Sequence, residues 1–237
     1  MALNTQHRTQ ETEIMDDFSL QGEELRATLD QIAHINQSLG GNKVTLNGIK
    51  KLLKQSDTSK TITITDIGCG NGDMLRMLAK FGKNNNLNFK LIGIDANHFT
   101  INYAKTLSSE YSNIEYQCVD IFSESFKAIK YDIVLCTLTL HHFTNAEILN
   151  IITIFNNNAK VGIIVNDLHR SKLAYRLFEL IGIVFNLTKM SREDGLVSIL
   201  RGFKKNELHE FSKKLNLKNY TINWKWAFRY QWIIAKK

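Results

Sequence analysis

The sequence predicts an α/β fold in which strand–helix repeats follow two amino-terminal helices and close in an antiparallel hairpin. Three observations predict it. Short apolar or alternating runs recur between segments of helical periodicity from Thr61 to Val165. A glycine-rich turn carrying Gly68, Gly70 and Gly72 joins the first run to the helix formers Met74, Leu75, Met77 and Leu78. Near the end, Tyr220, Ile222, Trp224, Trp226 and Phe228 alternate on one face of a strand, with Tyr230 to Ala235 as its partner.

Residues 1–14 are polar and patternless, which predicts a flexible tail. From Glu23 an amphipathic helix places Leu25, Leu29, Ile32, Ile35 and Leu39 on one face and stops at Gly40-Gly41. A second helix turns Val44, Ile49, Leu52 and Leu53 inward and reaches a polar linker at residues 55–60. Both helices must bury an apolar face on the main body, either as a lid over a site or as a packing extension. The chain therefore divides into a tail and helical lid over residues 1–58 and one α/β domain over 59–237.

Thr61 to Thr65 alternate as a strand, and Asp66 closes it. Glycines here let a ligand approach backbone amides at a helix amino terminus. A dinucleotide fingerprint needs a third glycine where Asp73 stands. Asp66 and Asp73 suit a ligand with positive charge at its amino-acid end better than a pyrophosphate. The second strand, Phe89 to Asp95, and the third, Ile114 to Val119 with Asp120 after it, also end on acids. The fourth, Tyr131 to Leu138, runs into Thr139-Leu140-His141-His142-Phe143, and the fifth, Val161 to Val165, into Asn166-Asp167-Leu168-His169-Arg170. Leu173 to Leu187 is apolar nearly all round with Glu179 inside it, which predicts a buried helix able to wall a pocket for a greasy substrate. A last helix carries Leu208, Phe211 and Leu215.

Composition narrows the partners. The 237 residues suit one to two domains, and the polar opening is no signal peptide. No uncharged apolar run is long enough to span a bilayer, so a cytoplasmic protein is expected. Cys69, Cys118 and Cys136 make neither a disulfide framework nor paired metal spacing. The formal charge of +7 divides into −2 for residues 1–58, zero for 59–170 and +9 for 171–237. That basic third is compatible with RNA, an anionic membrane surface with weak association, an acidic substrate, or plain solvated helix faces.

The run Asp66-x-Gly68-x-Gly70-x-Gly72 resembles the first motif of the class I methyltransferases, and the order of the later acids resembles their second and third. The Leu140-His141-His142-Phe143 and Asn166-to-Ser171 segments are similar to ubiquinone and menaquinone-type small-molecule methyltransferases. With Met15-Asp16-Asp17 and Leu39-Gly40-Gly41 they also look like bacterial methyltransferases associated with type III polyketide synthases. The resemblance implies a seven-stranded, mostly parallel, doubly wound sheet with the antiparallel hairpin at its end. It implies S-adenosylmethionine (SAM) as methyl donor and S-adenosylhomocysteine (SAH) as product. It also implies a cofactor wall of Asp66, Gly68, Gly70, Gly72, Asp95, Ala96, Asp120, Ile121, Cys136 and Thr137. In that wall Asp95 would accept from the ribose diol and Asp120 from the adenine amine. The acceptor side would hold Arg170, Asn166 and Tyr175.

Departures exclude other chemistries. A chain without proline cannot carry the Pro-Pro run of amino-methylating DNA enzymes, and Cys136 lacks the setting of a cytosine-directed nucleophile, so DNA is not expected. Residues 136–140 supply no acid to join Asn166-Asp167, so no metal is expected. A phenol of pKa about 10 costs roughly 4 kcal/mol to ionise at pH 7, which a placed histidine lessens; His141 and His142 are the candidate bases. The expected reaction is methylation of a small lipophilic phenolic, quinol or polyketide-type acceptor, on oxygen by preference and on carbon with the same parts. The rival readings are an RNA methyltransferase and a SAM-binding regulator without a reaction.

Overall fold

The computed structural model describes residues 3–236. Two helices, α1 (Glu23–Ser38) and α2 (Gly41–Leu53), precede the repeats. These run β1 (Ile62–Ile67), α3 (Asp73–Asn84), β2 (Phe89–Asp95), α4 (His98–Leu107), β3 (Ile114–Cys118), α5 (Glu124–Lys127), β4 (Tyr131–Thr137), α6 (Asn145–Asn158) and β5 (Ala159–Leu168). Three helices follow, α7 (Lys172–Val184), α8 (Lys189–Arg201) and α9 (Lys205–Lys214), and then the hairpin β6 (Tyr220–Lys225) and β7 (Arg229–Ala235).

One sheet of seven strands forms in the order β3-β2-β1-β4-β5-β7-β6. The first five strands are parallel, and β7 runs antiparallel between β5 and β6. The central strands read as near-continuous apolar runs because helices cover both faces. Ile64, Ile133, Leu135 and Ile164 pack on one face with Leu52 and Leu75, while Val134, Ile163, Val165 and Trp232 pack on the other with Ile151 and Phe155. Strand order reverses between β1 and β4, and the crevice at that reversal is where ligands of open α/β sheets sit.

The amino terminus corrects the sequence expectation. Instead of a flexible tail, residues 3–17 form a strap, with Thr5 and Glu13 buried. Arg8 ties it down by donating to the carbonyls of His141, Phe143 and Arg201 at 2.7–2.8 Å. Arg170 does the same from below: wholly enclosed, it donates to Thr5 O at 3.1 Å and Gln6 O at 3.0 Å, to the Gly202 carbonyl, and to Glu207 Oε1 at 2.6 Å. Polar residues without periodicity pack here because both their backbone carbonyls and side chains such as Arg8 find partners on the body of the fold.

The carboxy-terminal helices depart from expectation too. The apolar run read as one buried helix to Leu187 ends in a turn at Asn186, in the left-handed region at φ 46°, and α8 follows. One side of α7 meets α8, and the other carries Leu173, Leu180, Ile183 and Val184 at 58–78% exposure. No helix among the described residues is long and apolar enough to cross a membrane.

Replacing Arg170 with methionine strands Glu207 and three carbonyl groups. Removing one partner of a buried pair costs about 3 kcal/mol, which at this chain length lowers Tm by on the order of 10 °C. Thermal denaturation with trypsin cleavage at Arg8 should show both the loss of stability and an opened strap.

Candidate active site

A cavity of about 1030 Å³ lies over the carboxyl ends of β1, β2 and β4, walled by α1, α7, α8 and the strap. That is the upper limit of a one-ligand pocket, and most of its wall is apolar. Leu25, Leu29, Ile32 and Ile35 of α1 face into it, whereas α2 packs its apolar face on β5. Asp30 anchors α1 to the glycine turn, accepting from Tyr103 Oη at 2.8 Å and from Asn71 Nδ2 at 3.1 Å.

One end of the cavity is acidic. Gly68 has φ +66°, and a side chain there would strike Thr139, whose hydroxyl donates to Ile67 O and Thr137 O. This contact lays the loop after β4 against the glycine turn. Asp66 is 3% exposed with Oδ1 unpartnered among the described residues, and burial, joined by the charges of Asp73 and Asp95, pushes its pKa well above the usual carboxylate range. A cationic ligand group beside it would offset that cost. Asp95 accepts from Gly70 N at 3.2 Å and Asn97 N at 3.0 Å, and burial raises its pKa despite those bonds. Asp120, exposed, accepts from Phe122 N at 2.9 Å. An unpartnered buried acid, a glycine turn and two further acids on successive strands fit a cationic nucleoside such as SAM.

The other end holds an ion network around two adjacent histidines. His141 is buried, its Nδ1 is 2.7 Å from Asp167 Oδ1, and its Nε2 is 3.5 Å from Glu13 Oε1. Burial alone would lower its pKa, but the Asp167 carboxylate, with Glu13 behind it, raises it to about 9. That raised pKa and the two carboxylates beside the ring favour a positioning role for His141, against the sequence expectation of a base at this residue. His142 is partly exposed, lines the cavity, and sets its Nδ1 2.6 Å from Asp16 Oδ1. Arg201 fixes Asp16 from the other side at 2.6 Å and donates to the His142 carbonyl. Ligand-type atoms of Glu13, His141 and His142 lie within 4.8 Å of one another, and the Arg201 guanidinium, 3.6 Å from Glu13 Oε1, already supplies positive charge there.

Eight of the ten expected cofactor residues line the cavity: Asp66, Gly68, Gly70, Asp95, Ala96, Asp120, Ile121 and Thr137. Gly72 lies behind it against Tyr116, and Cys136 is buried in β4. None of the three expected acceptor-side residues reaches it. Arg170 is committed to the strap and Glu207. Asn166 donates to Gly41 O and Thr45 Oγ1 of α2, and Tyr175 borders a separate hollow beside the strap. The sequence reading missed Glu13, Asp16, Asp167 and Arg201 as members of the network. It also missed Leu138, which lines the cavity with φ at +53°, a conformation uncommon for a leucine.

A methyltransferase-domain family profile matches residues 58–221. The ubiquinone biosynthesis O-methyltransferase of Coxiella burnetii is 30% identical over 149 residues, which cover 61% of this chain and 60% of that protein. The enzyme of the same name from Rickettsia felis is 28% identical over 132 residues, 54% of this chain and 50% of its own. The chain thus spans about half to three fifths of the curated relatives it matches. Among solved structures, the plantazolicin methyltransferase BpumL in complex with SAH superposes with a TM-score of 0.64 at 17% identity, covering 88% of this chain and 89% of that one. The magnesium protoporphyrin IX methyltransferase ChlM from Synechocystis, with bound SAM, gives 0.57 at 13% identity, covering 94% and 89%. At these identities the likeness is one of fold.

The network predicts its own pH dependence. The folded pKa of His141, about 9, lies above its unfolded value near 6.5, so its contribution is fully present below pH 6.5 and is lost as pH rises through 9. The amount is roughly 3 kcal/mol at 1.36 kcal/mol per unit. Urea unfolding between pH 6 and 9.5 should show that decline in the parent, and His141→Gln should be less stable at pH 6 without it.

Proposed function

The chain belongs to the class I SAM-dependent methyltransferases, and on that premise we propose that it O-methylates a small, lipophilic phenolic or quinol acceptor with His142 as the base. The carrying observation is the 2.6 Å contact between His142 Nδ1 and Asp16 Oδ1 in the wall of a mostly apolar cavity. A carboxylate on Nδ1 holds the imidazole as the tautomer with its proton there, which leaves Nε2 to receive one.

The acid-lined end supports binding of the methyl donor. Asp66 would face the ammonium, Asp95 the ribose diol, and Asp120 with Ile121 the adenine edge, with Ala96 and Thr137 completing the wall. When bound, SAM supplies an electrophilic methyl group on a sulfonium whose leaving thioether is neutral. What the protein adds is alignment and proton removal. Phe18, Leu180, Val184 and Trp226 give the mouth an apolar rim suited to an alkylated ring. His141, its charge fixed by Asp167 and Glu13, would hold the loop in place and keep the proton-accepting role for its neighbour. The Coxiella relative, a ubiquinone biosynthesis O-methyltransferase by name, supports the oxygen acceptor.

General-base assistance is worth about 10²–10⁴ in rate. His142→Gln should lower kcat toward an alkylphenol by at least about 10² while SAH affinity stays within about threefold of parent. Asp16→Asn, which leaves the ring without its orienting anion, should lower kcat by about 10-fold or more with a smaller change in KM. Unchanged kcat in His142→Gln would remove the base assignment.

Asp66 gives a separate test. Its raised pKa means that binding an ammonium draws a proton off, so SAH affinity should rise with pH as that proton is released. Titration calorimetry on Asp66→Asn should show weaker binding without that slope.

A further inference from the structure

Arg229 opens β7 and turns toward the amino end of α2. It is 3% exposed and lines the cavity, yet its Nε and Nη1 are enclosed without a hydrogen-bond partner among the described residues. The other two buried arginines are fully committed, Arg170 to Glu207 and Arg201 to Asp16. Burial lowers the Arg229 pKa to about 10, with Asp167 pulling the other way, so the group still carries its charge at neutral pH. An unpaired buried guanidinium is among the costliest features a fold can keep.

The surroundings add to that positive charge. Gly41 begins α2 so close by that a Cβ on it would lie 2.8 Å from Arg229 Cζ. Gly40 before it is left-handed at φ 78° and has no side chain to cap the first turn. The positive end of a 13-residue helix and a free guanidinium therefore abut. Asn36 Oδ1, also enclosed and unpartnered, adjoins Gly41 and lines the same cavity. A planar anion would satisfy the arginine fork and the helix end together, and a donor next to that anion would satisfy Asn36.

We propose that Arg229, the amino end of α2 and Asn36 form a subsite for a carboxylate that carries a neighbouring N–H or O–H donor. Two ligands have this chemistry. One is the α-amino-acid end of the methyl donor, and the other is an acceptor bearing a carboxylate beside a hydroxyl, as in a salicylate. The assignment rests on the methyl-transfer reading of the cavity.

Two ligand pairs separate the sources. SAH is compared with 5′-methylthioadenosine, which lacks the amino-acid end, and an octylsalicylate with an octylphenol on the SAH-saturated protein. By calorimetry, the parent should prefer the carboxylate member of at least one pair by about 30-fold or more. In Arg229→Met that preference should fall at least tenfold while the other member of the pair binds within about twofold of parent; the pair that responds names the source. Arg229→Lys, which keeps the charge without the fork, should lie between them and carries the comparison if the methionine variant does not fold. Both preferences unchanged in a folded variant, or absent in the parent, would overturn the subsite. Failure of the parent to bind SAH at all would instead strike the methyl-donor reading beneath it.

Discussion

A buried histidine set between two carboxylates holds the working end of this protein together. His141 joins Asp167 at the end of β5 to Glu13 in the strap, and its own backbone amide donates to Asp167 at 3.1 Å. Asp167 and Glu13 are held below the usual carboxylate range: burial works against ionisation, but the charged histidine outweighs it. An isolated ion in this position would be expelled or neutralised. Three groups of alternating sign instead fix a strand end, a loop and an amino-terminal segment that are distant in sequence. Arg201 extends the network to Asp16, and through it the position of His142 depends on the whole arrangement.

Seen this way, two adjacent histidines have opposite jobs because their neighbours differ. His141 has Asp167 on Nδ1 at 2.7 Å and Glu13 Oε1 3.5 Å from Nε2, and these charges raise its pKa. His142 has a short contact to Asp16 and an edge open to the cavity. At the opposite end, Asp66 is left without a partner, with further acids crowding it. The cavity thus offers unsatisfied negative charge where the methyl donor would bring a cation, and unsatisfied positive charge at Arg229 where an anion would sit. The cavity wall as a whole is mostly apolar, which strengthens each of these interactions by keeping water out.

How much of this could be read from the chain depended on sequence distance. The glycine turn and the acids at 66, 95 and 120 were legible because strand, turn and acid are contiguous, and parallel strands bring such ends to one edge. Glu13 and Asp16 meet His141 and His142 across more than 120 residues, and nothing in a polar opening announces that its carboxylates and carbonyls will be enclosed. The resemblance puts Arg170 and Asn166 on the acceptor side, but the strap and α2 claim them first. Cys136 misled for a simpler reason, since its side chain packs in the core away from the cavity. In α7, apolar residues on nearly every side gave no sign that one side would be left to solvent beside the cavity mouth.

The most direct measurement of the central claim is the protonation of His141, followed through its ring nitrogens by long-range ¹⁵N NMR from pH 5 to 10. The ion clamp requires both nitrogens to stay protonated until about pH 9. A neutral ring at pH 7, on either nitrogen, would contradict it and return His141 to the list of candidate bases.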